Sequence, residues 1–294
     1  MPPFTFVALP DTQIYARFHP EHFEAQGRFL RELAARETVV LVLHEGDVTD
    51  DNSPEHWEVA ARALDPIVGQ VPLVFGLGNH DYAEGGTGAD RTTRFHDYFP
   101  ERLAPGQRLV AAYDEHRRDN VIYEVETPAG PWLAVGLEFA PRSAVVAWAR
   151  ETLLANPRPA VLVNHAYLYS DGTHYSASRS DQRWSPFDYG MASSDSIAAG
   201  DRLFRELVAP CRDLHLVVSG HVLNEGAALR SDPRPDGSVV HQMLANYQHR
   251  QDGGIGFLRL IRIDGTHVEV RTYSPVLDEY KTDPRNELRF ELTL

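Results

Sequence analysis

Five apolar stretches of this chain each run directly into side chains that can hold a hard cation. Phe4–Leu9 precedes Asp11-Thr12-Gln13, and Thr38–Leu43 precedes Gly46-Asp47-Val48-Thr49-Asp50. Leu73–Phe75 precedes Gly78-Asn79-His80-Asp81, Ala160–Val163 precedes Asn164-His165, and Leu214–Val218 precedes Gly220-His221. A donor set of carboxylate, amide oxygen and imidazole suits Mn, Fe, Zn or Mg better than a soft, thiolate-seeking ion. Taken singly, most of these pieces have plain structural readings. Asp11-Thr12 reads as a helix cap or turn, Gly46-Asp47 as a tight turn, and His165 and His221 as core histidines. Gly78-Asn79-His80-Asp81 is the most specific, because an Asn-His-Asp run has little structural purpose. Order and placement decide the matter. Every one of these turns directly follows a buried strand, and ligands of α/β sheets collect at the carboxyl ends of parallel strands.

The elements that must position these turns are legible from periodicity. Strands are expected at Phe4–Leu9, Thr38–Leu43 and Leu73–Phe75, with helices at Phe23–Arg36 and, after the Ser53-Pro54 start signal, at Glu55–Leu64. That alternation implies an α/β fold with a parallel sheet segment. Val121–Val125 and Trp132–Leu137 read as a hairpin pair. Ser143–Leu154 and Ser196–Val208 read as helices, and Ala160–Val163 and Leu214–Val218 as buried strands. Val239–Leu244, Phe257–Ile263 and His267–Tyr273 give a strand-rich ending, with the Asp264-Gly265 turn joining the last two. No internal repeat or linker interrupts the chain, so a single domain over 1–294 is expected. The stretch Tyr167–Asp195 has no sustained period and is too long for a connection, which suggests a functional, lid-like insertion.

With these motifs in hand, the sequence resembles the calcineurin-like metallophosphoesterases. The ordered signature of that family is D-x-H, G-D-x-x-D, G-N-H-D/E, a lone His after a strand, and G-H-x-H. The matching residues are Asp11, Gly46-Asp47, Gly78-Asn79-His80-Asp81, His165 and Gly220-His221, spread over about residues 4 to 225. Within the family it is similar to a bacterial branch reading L-P-D-T-Q at its start and S-G-H-V after its last core strand. The resemblance implies a layered αββα sandwich of two mixed sheets flanked by helices. It also implies a centre of two divalent cations that hydrolyses a phosphomonoester or phosphodiester with a bridging hydroxide as nucleophile. Asp47 would bridge the cations. Asn79, His165 and His221 would complete one site, and Asp11 and Gln13 would serve the other. His80, held by Asp81, would protonate the leaving oxygen or act only as a strut. His44-Glu45 would support the bridging turn.

Two departures stand out. Gln13 replaces a family His, and Leu223 replaces the second His of G-H-x-H. Both fall on one metal site, leaving Asn224 or water to fill it. One tight and one labile cation are therefore expected, with Mn favoured. The depleted site also opens an alternative: a metal- or phosphate-binding protein with little turnover.

Other residues are candidates for substrate contact. They are Arg142 as a phosphate clamp, His174 in the long insertion, and Tyr247 within the polar run Asn246-Tyr247-Gln248. The aromatics of the insertion would stack a base, line a pocket or pack on one another. Lys+Arg number 28 against 42 Asp+Glu, a formal net charge of −14. Such a surface lacks the attraction that bulk nucleic acid needs, so a nuclease is disfavoured, whereas a small phosphorylated substrate fits a site whose cations reverse the local field. The single cysteine, Cys211, excludes an intrachain disulfide framework, and the single lysine, Lys281, leaves no P-loop or Schiff-base lysine. No apolar run reaches the roughly 20 residues of a membrane span. The N-terminus lacks a basic leader, which is expected of a cytoplasmic protein or of an exported one whose leader has been removed.

Overall fold

The computed structural model of the protein describes residues 2–223, 226–234 and 236–294. In chain order, the first third comprises β1 (Phe4–Leu9), α1 (Gln13–Phe18), α2 (Pro20–Arg36), β2 (Val39–His44), α3 (Pro54–Leu64), β3 (Leu73–Phe75) and α4 (Phe95–Tyr98). The middle comprises β4 (Gln107–Ala112), β5 (Val121–Val125), β6 (Trp132–Gly136), α5 (Ser143–Ala155), β7 (Ala160–Val163), α6 (Gly190–Ser194) and α7 (Asp201–Leu203). The remainder is strand: β8 (Leu214–Ser219), β9 (Ala227–Pro233), β10 (Val239–Ala245), β11 (Leu258–Asp264), β12 (His267–Ser274), β13 (Glu279–Lys281) and β14 (Glu287–Glu291).

Two seven-stranded sheets result. One runs β13-β12-β11-β1-β2-β3, with β14 also on β12; β1, β2 and β3 are parallel and β11 is antiparallel to β1. The other runs β4-β5-β6-β7-β8-β10-β9, with β6, β7, β8 and β10 parallel. Side-chain alternation explains the layering. Phe4, Phe6 and Ala8 of β1 join Trp132, Val161 and Val218 of the facing sheet in a core made almost wholly of strand residues. Phe6 and Trp132 meet edge to face at 5.2 Å. Val7 and Leu9 point the other way, onto Phe23 and Leu30 of α2 and Trp57 of α3. Burying an aromatic or aliphatic side chain of this size contributes about 1.5–3 kcal/mol. The chain is thus the layered αββα sandwich that the motifs imply.

Helix starts follow local chemistry. Pro20 opens α2, and Ser53 caps α3, its Oγ accepting from the His56 amide at 3.4 Å ahead of Pro54. One expected helix is corrected. Ser196–Val208 does not begin as a helix, because the Ser196 and Pro141 carbonyls and the Ser143 and Ala198 amides exchange hydrogen bonds across the α5 start. Gly200 then turns the chain at φ +52, and α7 follows, continuing as a π-helical turn over Phe204–Val208. Edge strands β4, β9, β13 and β14 are partly exposed along most of their length and lack the buried apolar run that marks a strand such as β7. Among the described residues, no helix is long and apolar enough to cross a membrane.

Candidate metal centre

The turn after β2 is built before its ligand is placed. The Gly46 amide donates to His44 Nδ1 at 3.2 Å, which leaves His44 Nε2–H to donate to Thr12 Oγ at 3.1 Å; Thr12 Oγ donates in turn to the Val48 carbonyl. Burial drives His44 down to about 3, so this ring is a neutral strut. The Asp81 carboxylate accepts from the amides of Val48, Thr49 and Gly78 and from Thr49 Oγ. These bonds hold Asp47 in the left-handed region at φ +45, a conformation that persists where surroundings over-determine it. Gly78 is required beside it, since a Cβ there would lie 2.1 Å from Asp47 Oδ1.

Asp47 Oδ1 accepts from the His80 amide at 3.0 Å, and Oδ2 lies 3.2 Å from His165 Nε2. His165 Nδ1 donates to the Glu45 carbonyl at 2.7 Å, and His221 Nε2 donates to the Trp184 carbonyl at 2.7 Å. The remaining nitrogens, His165 Nε2 and His221 Nδ1, face each other at 3.1 Å. Asp47, His165 and His221 are all buried, and each offers a ligand atom within 4.8 Å of the others. Asn79 Oδ1, from the turn after β3, is buried with no hydrogen-bond partner among the described residues.

Asp11 stands on the other side. Its carboxylate accepts from the His221 amide, from Asn246 Nδ2 at 2.8 Å and from Gln248 Nε2 at 3.2 Å. A side chain at Gly220 would put its Cβ 2.1 Å from Asp11 Oδ1. Gln13 Oε1 and Gln248 Oε1 are buried and unpartnered among the described residues. Buried oxygens left without donors, together with two imidazole lone pairs and two carboxylates, fit divalent cations.

The model of the calcineurin-like phosphoesterase family matches residues 4–225. The chain belongs to the calcineurin-like phosphoesterase family. Membership implies divalent ions at this centre. The uncharacterized protein YvnB of Bacillus subtilis (strain 168) is 28% identical over 310 residues; the match spans 99% of this chain but only 22% of that protein. Among solved structures, purple acid phosphatase PPD1 from yellow lupin (Lupinus luteus) seeds shares the fold with TM-score 0.58 at 12% identity, over 99% of this chain and 54% of that one. GAP50, the anchor in the inner membrane complex of Plasmodium, aligns with TM-score 0.52 at 10% identity, over 99% and 88% of the two chains.

Burial and neighbouring charge compete at every titratable group of this centre. Burial alone would raise Asp47, but the charges of His165 and then His80 hold it below the usual carboxylate range. Burial, opposed by His165 and reinforced by Asp47, lifts Asp11 to about 7. Burial lowers His165, yet Asp47 and Asp11 outweigh it and bring the ring to about 9, whereas burial and the His165 charge push His221 to about 3. Burial also lowers His80, but Asp47 and the Asp50 carbonyl carry it above its ordinary value.

Several expected roles need correction. Asp81 does not hold His80: its oxygens are consumed by the 47–49 turn, and His80 Nδ1 donates instead to the Asp50 carbonyl at 2.6 Å. Arg142 forks onto buried Glu138, at 2.9 and 3.0 Å, and stacks over Tyr113, so its guanidinium is already engaged. His174 joins Gln242, Tyr167 and Phe204, and none of its hydrogen-bond or ring partners belongs to the cluster. Tyr247 turns its hydroxyl to Asn286 and Thr272. Strand-like alternation explains this last miss: the residues on either side of Tyr247 reach Asp11, and Tyr247 itself points away. Leu223 is half-buried, and Asn224 lies outside the described residues.

The Tyr167–Asp195 segment does border the cluster. Besides the Trp184 carbonyl, Tyr175 and Tyr189 pack on the His221 ring at 5.9 and 6.1 Å. Tyr167 and Tyr175 are fully buried and pack within the protein, while Trp184, Phe187 and Tyr189 remain partly exposed. Asn246 and Gln248 as partners of Asp11, and Thr12 as a strut, were not assigned from sequence. The polar run after a buried strand was the available signal for the first two.

Proposed function

We propose that this protein hydrolyses a small phosphate ester, monoester or diester, at a centre of two unequally held divalent cations. The observation that carries this reading is the convergence of His165 Nε2, His221 Nδ1 and the Asp47 carboxylate, all acceptors when the two rings are neutral. His165 and His221 would hold one cation with Asn79 and Asp47; Asp11 and Gln13 would share Asp47 with the other. Bound there, such cations supply Lewis acidity toward the phosphoryl oxygens and activate a water as nucleophile.

The chain's own residues do the rest. The Glu45 and Trp184 carbonyls fix the two ring tautomers, so each imidazole turns its lone pair inward. His80 holds its Nδ1 proton on the Asp50 carbonyl and exposes about a third of its side chain, 32%. In its charged form it donates the Nε2 proton to the ester oxygen as the P–O bond breaks, and is left neutral. Tyr189 and the partly exposed aromatics of the 167–195 segment form the rim that a substrate would meet.

Leu223 favours one rival, a cation-binding protein with little turnover. Hydrolysis of chromogenic phosphomonoester and phosphodiester substrates with added Mn, set against a folded Asp47→Ala variant, separates the two. Turnover lost in that variant supports the enzyme; no turnover above it, with cation binding intact, supports the rival.

A further inference from the structure

We propose that Gln248 supplies, through Oε1, the ligand that Leu223 withholds from the second cation. This rests on the two-cation reading above and names a residue of the same centre. The family position after Gly220-His221 holds Leu223, a side chain with no donor atom. The neighbouring parallel strand, β10, ends at Ala245, and the next residues bring two amides onto Asp11. The two amides are used differently. Asn246 spends both ends within the protein, Nδ2 on Asp11 and Oδ1 on the Gln248 backbone amide at 3.0 Å. Gln248 spends only Nε2, and its Oε1 is buried without a partner among the described residues, in a residue 6% exposed. Gln13 Oε1, the expected neutral ligand of the same cation, is likewise buried and unpartnered. An amide whose nitrogen already lies on the carboxylate ligand carries its oxygen next to that ligand.

A buried oxygen left open is costly, so its retention needs a partner. A divalent ion shared with Asp11 and Gln13 is that partner, and an all-oxygen set suits Mn or Mg. Glu45 Oε2 is also buried and unpartnered, but Arg259 is the chief charge acting on that carboxyl.

The test is isothermal titration of metal-stripped protein with Mn alone. It is done in a His19→Ala background, to remove the separate His19–Glu21–His22 group that could also hold an ion. Two steps are expected. Gln248→Ala should weaken the second by about tenfold or more and leave the first unchanged. Gln248→Glu, nearly isosteric, decides the role. A ligand oxygen made anionic tightens the second step, whereas a residue acting only as donor to Asp11 loses that donor and weakens it. Weakening in both variants, or no change in either, overturns the assignment while leaving two cations in place. A single step in the starting protein overturns the two-cation reading, and this inference with it.

Discussion

His165 Nε2 and His221 Nδ1 face each other at 3.1 Å, each ring having already given its other proton to a backbone carbonyl. Asp47 Oδ2 lies 3.2 Å from the first of them. In the neutral rings, three acceptors therefore converge with no donor between them. Only a proton or a cation relieves that arrangement, and the two compete for the same space.

The competition predicts a pH dependence. Without a cation, His165 keeps its proton up to about 9, because Asp47 and Asp11 outweigh its burial, and Asp11 stays protonated up to about 7. Binding must expel these protons, so cation affinity rises with pH up to about 9, more steeply below about 7 where both are bound, and levels above it. Titrations in buffers of different ionisation enthalpy should register proton release that shrinks as pH increases. Affinity falling across that range would contradict the assignment of His165 as a ligand.

Asp47 and Asn79 come from the two most specific turns. Asp47→Ala removes the carboxylate shared by both proposed sites, and Asn79→Ala removes a buried oxygen with no other partner. Each should lower metal-dependent hydrolysis by roughly a thousandfold, about 4 kcal/mol in the barrier. Circular dichroism and thermal melting should report a folded protein, since neither side chain belongs to the two main apolar cores. Near-normal turnover in either variant would falsify the phosphoesterase reading.

What could be read from the sequence follows from what each signal depends on. Phe4–Leu9, apolar but for Thr5, and Ala160–Val163, apolar throughout, are buried on both faces by sheet or helix, and their bounds were exact to the residue. The ligand-bearing turns were legible because they sit immediately after such strands. Interactions made at long sequence separation were not. Asn246 and Gln248 reach Asp11 across 235 and 237 positions; the polar run after a buried strand marks them as candidates, but nothing local names Asp11 as the partner. His174 and Tyr247 are turned to partners outside the cluster for the complementary reason: side-chain direction within an irregular segment is set by packing. His80 and Asp81 are adjacent in sequence, yet the 3-10 turn over Asn79–Asp81 sends them to different partners.

His80 is assigned to proton donation, and that role predicts a leaving-group dependence. The ring is lowered by burial but raised further by Asp47 and the Asp50 carbonyl, so it is charged to a higher pH than a free histidine. A leaving alkoxide of high pKa needs the proton, and a nitrophenolate barely does. His80→Gln should therefore slow alkyl phosphate hydrolysis by about 10²–10⁴-fold while costing far less with a nitrophenyl ester. Equal losses on both substrates would reduce His80 to a strut that ties the turn after Asp47 through its Nδ1 bond to the Asp50 carbonyl.

The two cation sites should differ in both affinity and preference. The site of Asp47, Asn79, His165 and His221 offers two imidazoles, which favour late first-row ions such as Zn or Fe. The site of Asp11, Gln13 and Asp47 offers oxygen only, which favours Mn or Mg and exchanges readily with water. Metal-stripped protein should thus take up Zn in a tight first step, with Mn adding in a weaker second. His165→Ala should remove the first step, and Gln13→Ala should weaken only the second. Activity should rise with free Mn after dialysis, because the weak site empties first. Two equally tight steps, or activity indifferent to added metal in a protein holding one ion, would mean that Gln13 and Leu223 do not thin the second site as their side chains imply.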